Sequence, residues 1–216
     1  MEVYLKDIQN RFPEFDIRNY QEESFFVGFS HDSRSIKKGE IFIPIVGYNF
    51  DGHDFILQAF ENGASMSLCE KAKYDGDEMD VNEPIILVDS IEDGLMKLLN
   101  YAISPITAPV VGITGSTGKT TTKKMLVTIL KSQMKVLHGD KSNTVWGNAV
   151  ILSEYDDHDA VVLECGMDRK GEIAWHVNSV DPDLGILLNV GHVHGEKVGG
   201  IEQIYEEKKD LAEYME

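Results

Sequence analysis

Two hydrophobic patterns alternate along this chain. Short apolar runs of strand length occur at 25–29, 40–46, 66–69, 85–88, 109–113, 135–137, 160–164 and 184–190. Between them, apolar residues recur at helical spacing, which predicts helices over 55–62, 91–102, 120–131, 149–154, 172–177 and 201–214. In the third of these, Met125, Leu126, Ile129 and Leu130 form the expected apolar side. Strands and helices alternating at this interval imply right-handed crossovers and a mostly parallel sheet, so the fold class is α/β. Residues 71–83 hold Asp75-Gly76-Asp77 and little apolar content, and read as a surface loop. Pro105 and Pro109 disfavour a continuous helix, so a linker over 103–109 divides a small domain, 1–104, from a second, 105–216. There is no internal repeat or low-complexity tract.

One strand-to-helix junction carries chemistry. Residues 112–122 read GITGSTGKTTT, between the run ending at Ile113 and the helix expected from Thr120. Gly115 and Gly118 can take backbone conformations closed to other residues, so the N–H groups around Ser116 and Thr117 can turn inward on phosphate oxygens. The helix amino terminus adds partial positive charge at the same spot. Lys119 is expected to reach the outer phosphates and the Thr120 hydroxyl to ligate magnesium. The strict phosphate-loop pattern has a glycine six positions before the lysine; here Ile113 stands there, and the glycine is Gly112.

Composition narrows the partners. With 42% apolar and 26% charged residues, the 216-residue chain is of ordinary globular type, but its formal net charge is −17. Without lysine and arginine blocks, it is a poor candidate for nucleic acid or anionic membrane, and no apolar run is long enough to span a bilayer. Cys69 and Cys165 lack metal-ligand spacing, and the amino terminus lacks a signal pattern, so the expectation is a cytoplasmic protein with reduced thiols. Cys165, ending an apolar strand, reads as a packing residue.

Polar residues at strand ends are the next candidates, because ligands of open α/β sheets gather there. Glu164 ends the run 160–163 and is expected to hold magnesium directly or through water. The run 185–190 leads into GHVHGE, which sets His192, His194 and Glu196 at another strand end. The residue pattern alone does not choose between the two histidines.

The ordered motifs resemble a known family. Residues 112–120, then Asn143 to Gly147, Leu163 to Met167 with Gly171 to Ile173, and Asn189 to His194 are similar to the central domain of the Mur ligases. Asp32-Ser-Arg34, Gly39 to Phe42, and Gly47 to His53 with Gly63-Ala64 resemble the UDP-sugar-binding domain of the same family. Within it, the chain is most similar to the members that add D-alanyl-D-alanine to UDP-N-acetylmuramoyl-tripeptide. The resemblance implies a monomeric ATP- and Mg2+-dependent ligase of peptidoglycan precursor synthesis, acting through an acyl phosphate. It implies an ATP site of Gly115, Ser116, Thr117, Gly118, Lys119, Thr120, Thr121 and Asn143. It makes Thr120, Glu164 and His194 the metal residues, and Lys119, Lys208 and His194 the catalytic set. Lys208 matches a lysine that several members carry as a carbamate; the alternative is that Lys208 and Lys209 form exposed helix ion pairs with Glu206, Glu207 and Asp210. Ser33, Arg34, Gly47, Asp51 and His53 are the expected contacts to the UDP substrate, although Gly47 and Gly52 also suit plain turns.

Two departures qualify the resemblance. Ala149 stands where relatives often have proline, and the chain ends at Glu216, before the rest of the central domain and a carboxyl-terminal domain. The expectation is therefore an incomplete P-loop domain with little or no ligation by this chain alone. A non-catalytic nucleotide or UDP-sugar-binding module, or a ligase of the family adding a different amino acid, is the alternative.

Overall fold

The computed structural model describes residues 1–76, 79, 81–140, 142–191 and 200–213. It divides into two compact units, Met1–Ala102 and Ile103–Glu216. The first contains β1 (Val3–Tyr4), α1 (Leu5–Arg11), β2 (Asp16–Arg18), β3 (Phe25–Phe26), β4 (Phe29–Ser30), β5 (Ile41–Phe42), α2 (Ile56–Glu61), β6 (Met66–Glu70), β7 (Ile85–Val88) and α3 (Ile91–Ile103). Its five-stranded sheet runs β2-β7-β6-β5-β4, parallel except for the antiparallel pair of β2 with β7. All four residues of β7 and the first four of β6 are buried, which is why these strands read as unbroken apolar runs.

Differences from the expected elements have local causes. The strand expected over 25–29 is two strands because its halves take different partners: β3 pairs with β1, and β4 with β5. The one expected over 40–46 keeps only Ile41–Phe42 in the sheet, since Pro44 has no N–H to give. The short α1, with only Leu5 and Ile8 buried, left too little periodicity to be read.

The second unit contains β8 (Val110–Thr114), α4 (Lys119–Leu130), β9 (Val136–His138), α5 (Val145–Ser153), β10 (Ala160–Glu164), α6 (Glu172–Val180), β11 (Leu184–Leu187) and α7 (Ile201–Glu213). Its sheet runs β11-β8-β10-β9 and all three pairings are parallel. One face of β8 packs with α4, through Ile113, Val127, Val136 and Val162. On the other side, Cys165, Ile173, Val177, Ile204 and Leu211 form a second cluster. Each fully buried aliphatic side chain of this kind contributes roughly 1.5–3 kcal/mol. Gly112 belongs to this packing rather than to a phosphate loop: a Cβ there would lie 3.3 Å from both Cys165 Sγ and Leu211 Cδ1.

Two helices differ from expectation. In α4 the buried residues are Lys123 and Val127, with Leu126 and Leu130 half-buried, whereas Met125 and Ile129 are exposed. An ion pair of Lys123 with β10, described below, turns that side inward. Helix α5 begins four residues early because Thr144 caps it, its Oγ1 accepting from Gly147 N at 3.2 Å. Ala149 is consequently buried inside a helix and forms no turn. Among the described residues no helix is long and apolar enough to cross a membrane.

Candidate functional site

The parallel strands β8, β10 and β11 end on the same side of the second sheet, and the polar residues that follow them meet there. Gly118 has φ +87° and caps α4, a conformation in which any other residue is strained. Ahead of it, Ser116 and Thr117 are tied to the segment after β11. Asn189 makes a reciprocal pair, its Oδ1 accepting from Thr117 N at 3.1 Å and its Nδ2 donating to Thr117 O at 3.0 Å. Ser116 N donates to Asn189 O at 3.1 Å, and Gly191 N donates to Ser116 Oγ at 2.8 Å. Lys119 folds back over the loop, donating from Nζ to Gly115 O at 2.6 Å. The loop is thus held from outside by Asn189 and from within by its own lysine.

Glu164, the last residue of β10, faces α4. Its Oε2 accepts from Thr120 Oγ1 at 3.0 Å, and its Oε1 lies 2.7 Å from Lys123 Nζ. Lys123 also donates to Gly139 O. Both charged groups are buried. Thr120 Oγ1 and Glu164 Oε2 are adjacent hard oxygens, the donor type that Mg2+ takes as one or two protein ligands beside substrate phosphates. They fit such an ion in that shared form; among the described residues no three His, Cys, Asp or Glu groups gather to hold a metal unaided. His194, expected in the metal shell, lies outside the described residues, as do His192 and Glu196.

Lys208 lies in α7 and is 3% exposed, so it is not the exposed helix ion pair that its acidic neighbours suggested; Lys209 takes that role with Glu206 at 2.6 Å. Burial, and then the charge of Lys119, pull the Lys208 pKa down to about 8. Asn143 is exposed just before the α5 cap, and its carbonyl accepts from Gly166 N at 2.7 Å. Thr121 is exposed on the first turn of α4.

Behind Asn143 a buried polar network supports the strand end. Asn148 Nδ2 lies 3.1 Å from Glu164 O and 3.2 Å from His176 Nδ1. His176 is buried, which pulls its pKa down to about 4. Trp146 and Trp175 meet edge to face beside it, ring centroids 4.7 Å apart.

The first unit has its own cavity, about 390 Å3, lined among others by Asp32, Ser33, Arg34, Phe50, Phe55 and Gln58. Ser33 Oγ donates to Gln58 Oε1 at 2.6 Å. Arg34 is clamped on Asp32, Nε to Oδ1 and Nη2 to Oδ2 at 2.8 Å each, and this holds the Asp32 carboxyl down to about 2. Tyr48, Phe50 and Phe55 leave aromatic surface exposed in this part of the chain. Asp51, His53 and Gly47 do not line the cavity. His53 is buried, with Nδ1 2.6 Å from Asp51 Oδ1 and Nε2 accepting from Glu70 N at 3.1 Å; both ring nitrogens are used to fasten a turn to β6. Asp51 also pairs with Lys73 at 3.0 Å. Gly47 closes the turn by donating to Phe50 O at 2.9 Å.

Sequence reasoning missed Asn189, Lys123, Asn148, His176 and Gln58. Asn189 was detectable as the first polar residue after an apolar strand. Lys123 carries no such signal, because helical periodicity places a lysine with solvent.

A glycine loop between a parallel strand and a helix, with a carboxylate at the neighbouring strand end, defines the phosphate-loop class of α/β proteins. Residues 113–216 match the Mur ligase middle domain, and residues 26–102 match the catalytic domain of the Mur ligase family. The chain belongs to the Mur ligase family.

The chain is 33% identical over 192 residues to the UDP-N-acetylmuramoyl-tripeptide–D-alanyl-D-alanine ligase of Bacillus subtilis, covering 88% of this chain and 41% of that protein. Its fold matches MurF from Acinetobacter baumannii with a TM-score of 0.84 at 25% identity, covering 100% of this chain and 47% of the other. It also matches MurF ligase from Thermotoga maritima in complex with ADP, TM-score 0.73 and 36% identity over 87% of this chain and 43% of the other. The chain thus spans about two fifths of the length of the curated relative, 41%.

Proposed function

We propose that this chain carries the UDP-sugar-binding unit and the phosphate-loop unit of a cytoplasmic, ATP-dependent ligase that joins D-alanyl-D-alanine to UDP-N-acetylmuramoyl-tripeptide through an acyl phosphate. The observation that carries the reading is the meeting of the Gly115 to Lys119 loop with Thr120 and Glu164 at the ends of the paired strands β8 and β10. The names of the relatives support the substrates, and the ADP complex of one of them supports the nucleotide.

In this reading each residue has a physical task. The loop N–H groups and the α4 terminus hold the nucleotide phosphates, with Asn189 keeping the loop in shape. Lys119 exchanges the Gly115 carbonyl for the outer phosphates, where negative charge grows as the phosphoryl group moves. Thr120 and Glu164 hold Mg2+, whose chemistry is to screen the phosphate charge. Lys208, with its pKa of about 8, is more often neutral than an ordinary lysine and is suited to take up carbon dioxide as a carbamate, releasing a proton. In the first unit, Ser33, Arg34 and the exposed aromatic rings bind the UDP end of the substrate.

The test is calorimetric titration of the chain with ADP and Mg2+ and, separately, with UDP-N-acetylmuramoyl-tripeptide. Both are expected to bind, K119A weakening only the first and R34A only the second. Binding of neither ligand to the wild type would sink the reading.

A further inference from the structure

Lys123 lies one helical turn beyond Lys119 and is 2% exposed. Its Nζ, 2.7 Å from Glu164 Oε1, also reaches Gly139 O, so one ammonium ties α4 to the ends of β10 and β9. The other carboxylate oxygen stays beside the Thr120 hydroxyl, 3.0 Å away. Two effects follow. The carboxylate cannot rotate, and its charge is already balanced by a buried cation where water screens little. A divalent cation arriving alone at Thr120 and Glu164 therefore meets a neutral pair. No cluster of three acidic, histidine or cysteine groups among the described residues makes up the deficit. Phosphates lodged on the adjacent loop would supply it.

We propose that Lys123 is a positioning residue that makes metal binding at Thr120 and Glu164 conditional on nucleotide. It fixes Glu164 Oε2 for the cation and, by cancelling the carboxylate charge, keeps a divalent cation from lodging there alone. This rests on the ligase reading only for the identity of the nucleotide.

The test counts Mn2+ bound to the 216-residue chain by electron paramagnetic resonance, first without nucleotide and then with ADP. The wild type is expected to bind no Mn2+ saturably alone and to gain a site with ADP. K123M is expected to bind Mn2+ without ADP about tenfold or more tighter than the wild type, and the double variant K123M/E164Q to lose that binding. A lysine with a merely structural role would not create metal affinity when removed. Should K123M not fold, K123Q keeps a donor for Gly139 O without the charge. Wild-type binding of Mn2+ without ADP that E164Q abolishes overturns the proposal. So does equal affinity in K123M and the wild type. Failure of the wild type to bind ADP, with or without Mn2+, counts against the ligase reading; the nucleotide-free comparison still decides the role of Lys123.

Discussion

In the proposed function, the two units would hold a phosphorylated ligand in opposite ways. The first offers a cavity of about 390 Å3 with aromatic walls, and its cation, Arg34, is exposed and neutralised by Asp32 at the rim. In the second, Lys123 and Glu164 form a buried charge pair; Thr120 reaches the same carboxylate, half-buried Lys119 rests on Gly115 O, and exposed Asn189 holds Thr117. A site built on shape tolerates loss of a charge, because water already compensates it. A buried charge pair tolerates little, since removing one member strands the other without solvent.

The largest effect should come from breaking the buried pair. E164A leaves the Lys123 ammonium buried and uncompensated, and the second unit is expected to lose about 3–5 kcal/mol. Both tryptophans, Trp146 and Trp175, belong to this unit, so denaturant unfolding followed by their emission reads it alone. An equal change at Asp32, such as D32A beside the exposed Arg34, should cost the first unit far less. If the two variants cost the same, the contrast is wrong.

Acid should separate the units next. His176 has a folded pKa of about 4 against 6.5 for a free histidine, so between those values the unfolded chain binds more protons and stability falls as pH falls. The full drop is about 3 kcal/mol, complete near pH 4. In the first unit, the Arg34 hydrogen bond takes Asp32 to about 2. Burial opposes ionisation of Asp51, but hydrogen bonds from His53 and Lys73 bring it to about 2 as well. Their stabilisation is present above the ordinary carboxylate range and lost only as pH falls through 2. Tryptophan emission should therefore report loss of stability between pH 6.5 and 4, while amide exchange in β6 and β7 stays slow. Simultaneous loss would mean that His176 does not govern the second unit.

The same contrast explains what could be read from the sequence. Strands such as Ile85–Val88 and Ala160–Glu164 are legible because burial on both faces demands an apolar run, and the phosphate loop because Gly118 and Lys119 have few other uses. The apolar side of α4 was misread, since periodicity assigns Lys123 to solvent and cannot anticipate a carboxylate waiting inside. His53 was legible as a polar residue in a conspicuous turn. Its ring nitrogens are nevertheless spent on Asp51 and Glu70 N, contacts set by a strand 17 residues away. Long-range pairing of polar groups leaves no periodic trace.

A sharper comparison uses ligands. K119A removes the cation proposed to meet the outer phosphates and is expected to weaken ADP about 100-fold, which is ~2.7 kcal/mol. UDP-N-acetylmuramoyl-tripeptide binding should not change, and calorimetry of the same sample measures both. A matching loss of the second ligand would show that the phosphate loop also serves the UDP substrate.

The smallest expected effect probes the cavity itself. Ser33 is 6% exposed, and its hydroxyl makes a 2.6 Å hydrogen bond to Gln58 on α2. S33A removes the donor and leaves Gln58 Oε1 facing the cavity, where water or ligand can satisfy it, so the cost should be about 1 kcal/mol of first-unit stability. The cavity keeps its Phe42, Phe50 and Phe55 lining. If shape holds the ligand, affinity for the UDP substrate should fall only a few-fold, as calorimetry will measure. A loss as great as that of K119A for ADP would make Ser33 a ligand contact on which binding depends, and the first unit would then rely on individual polar groups as heavily as the second.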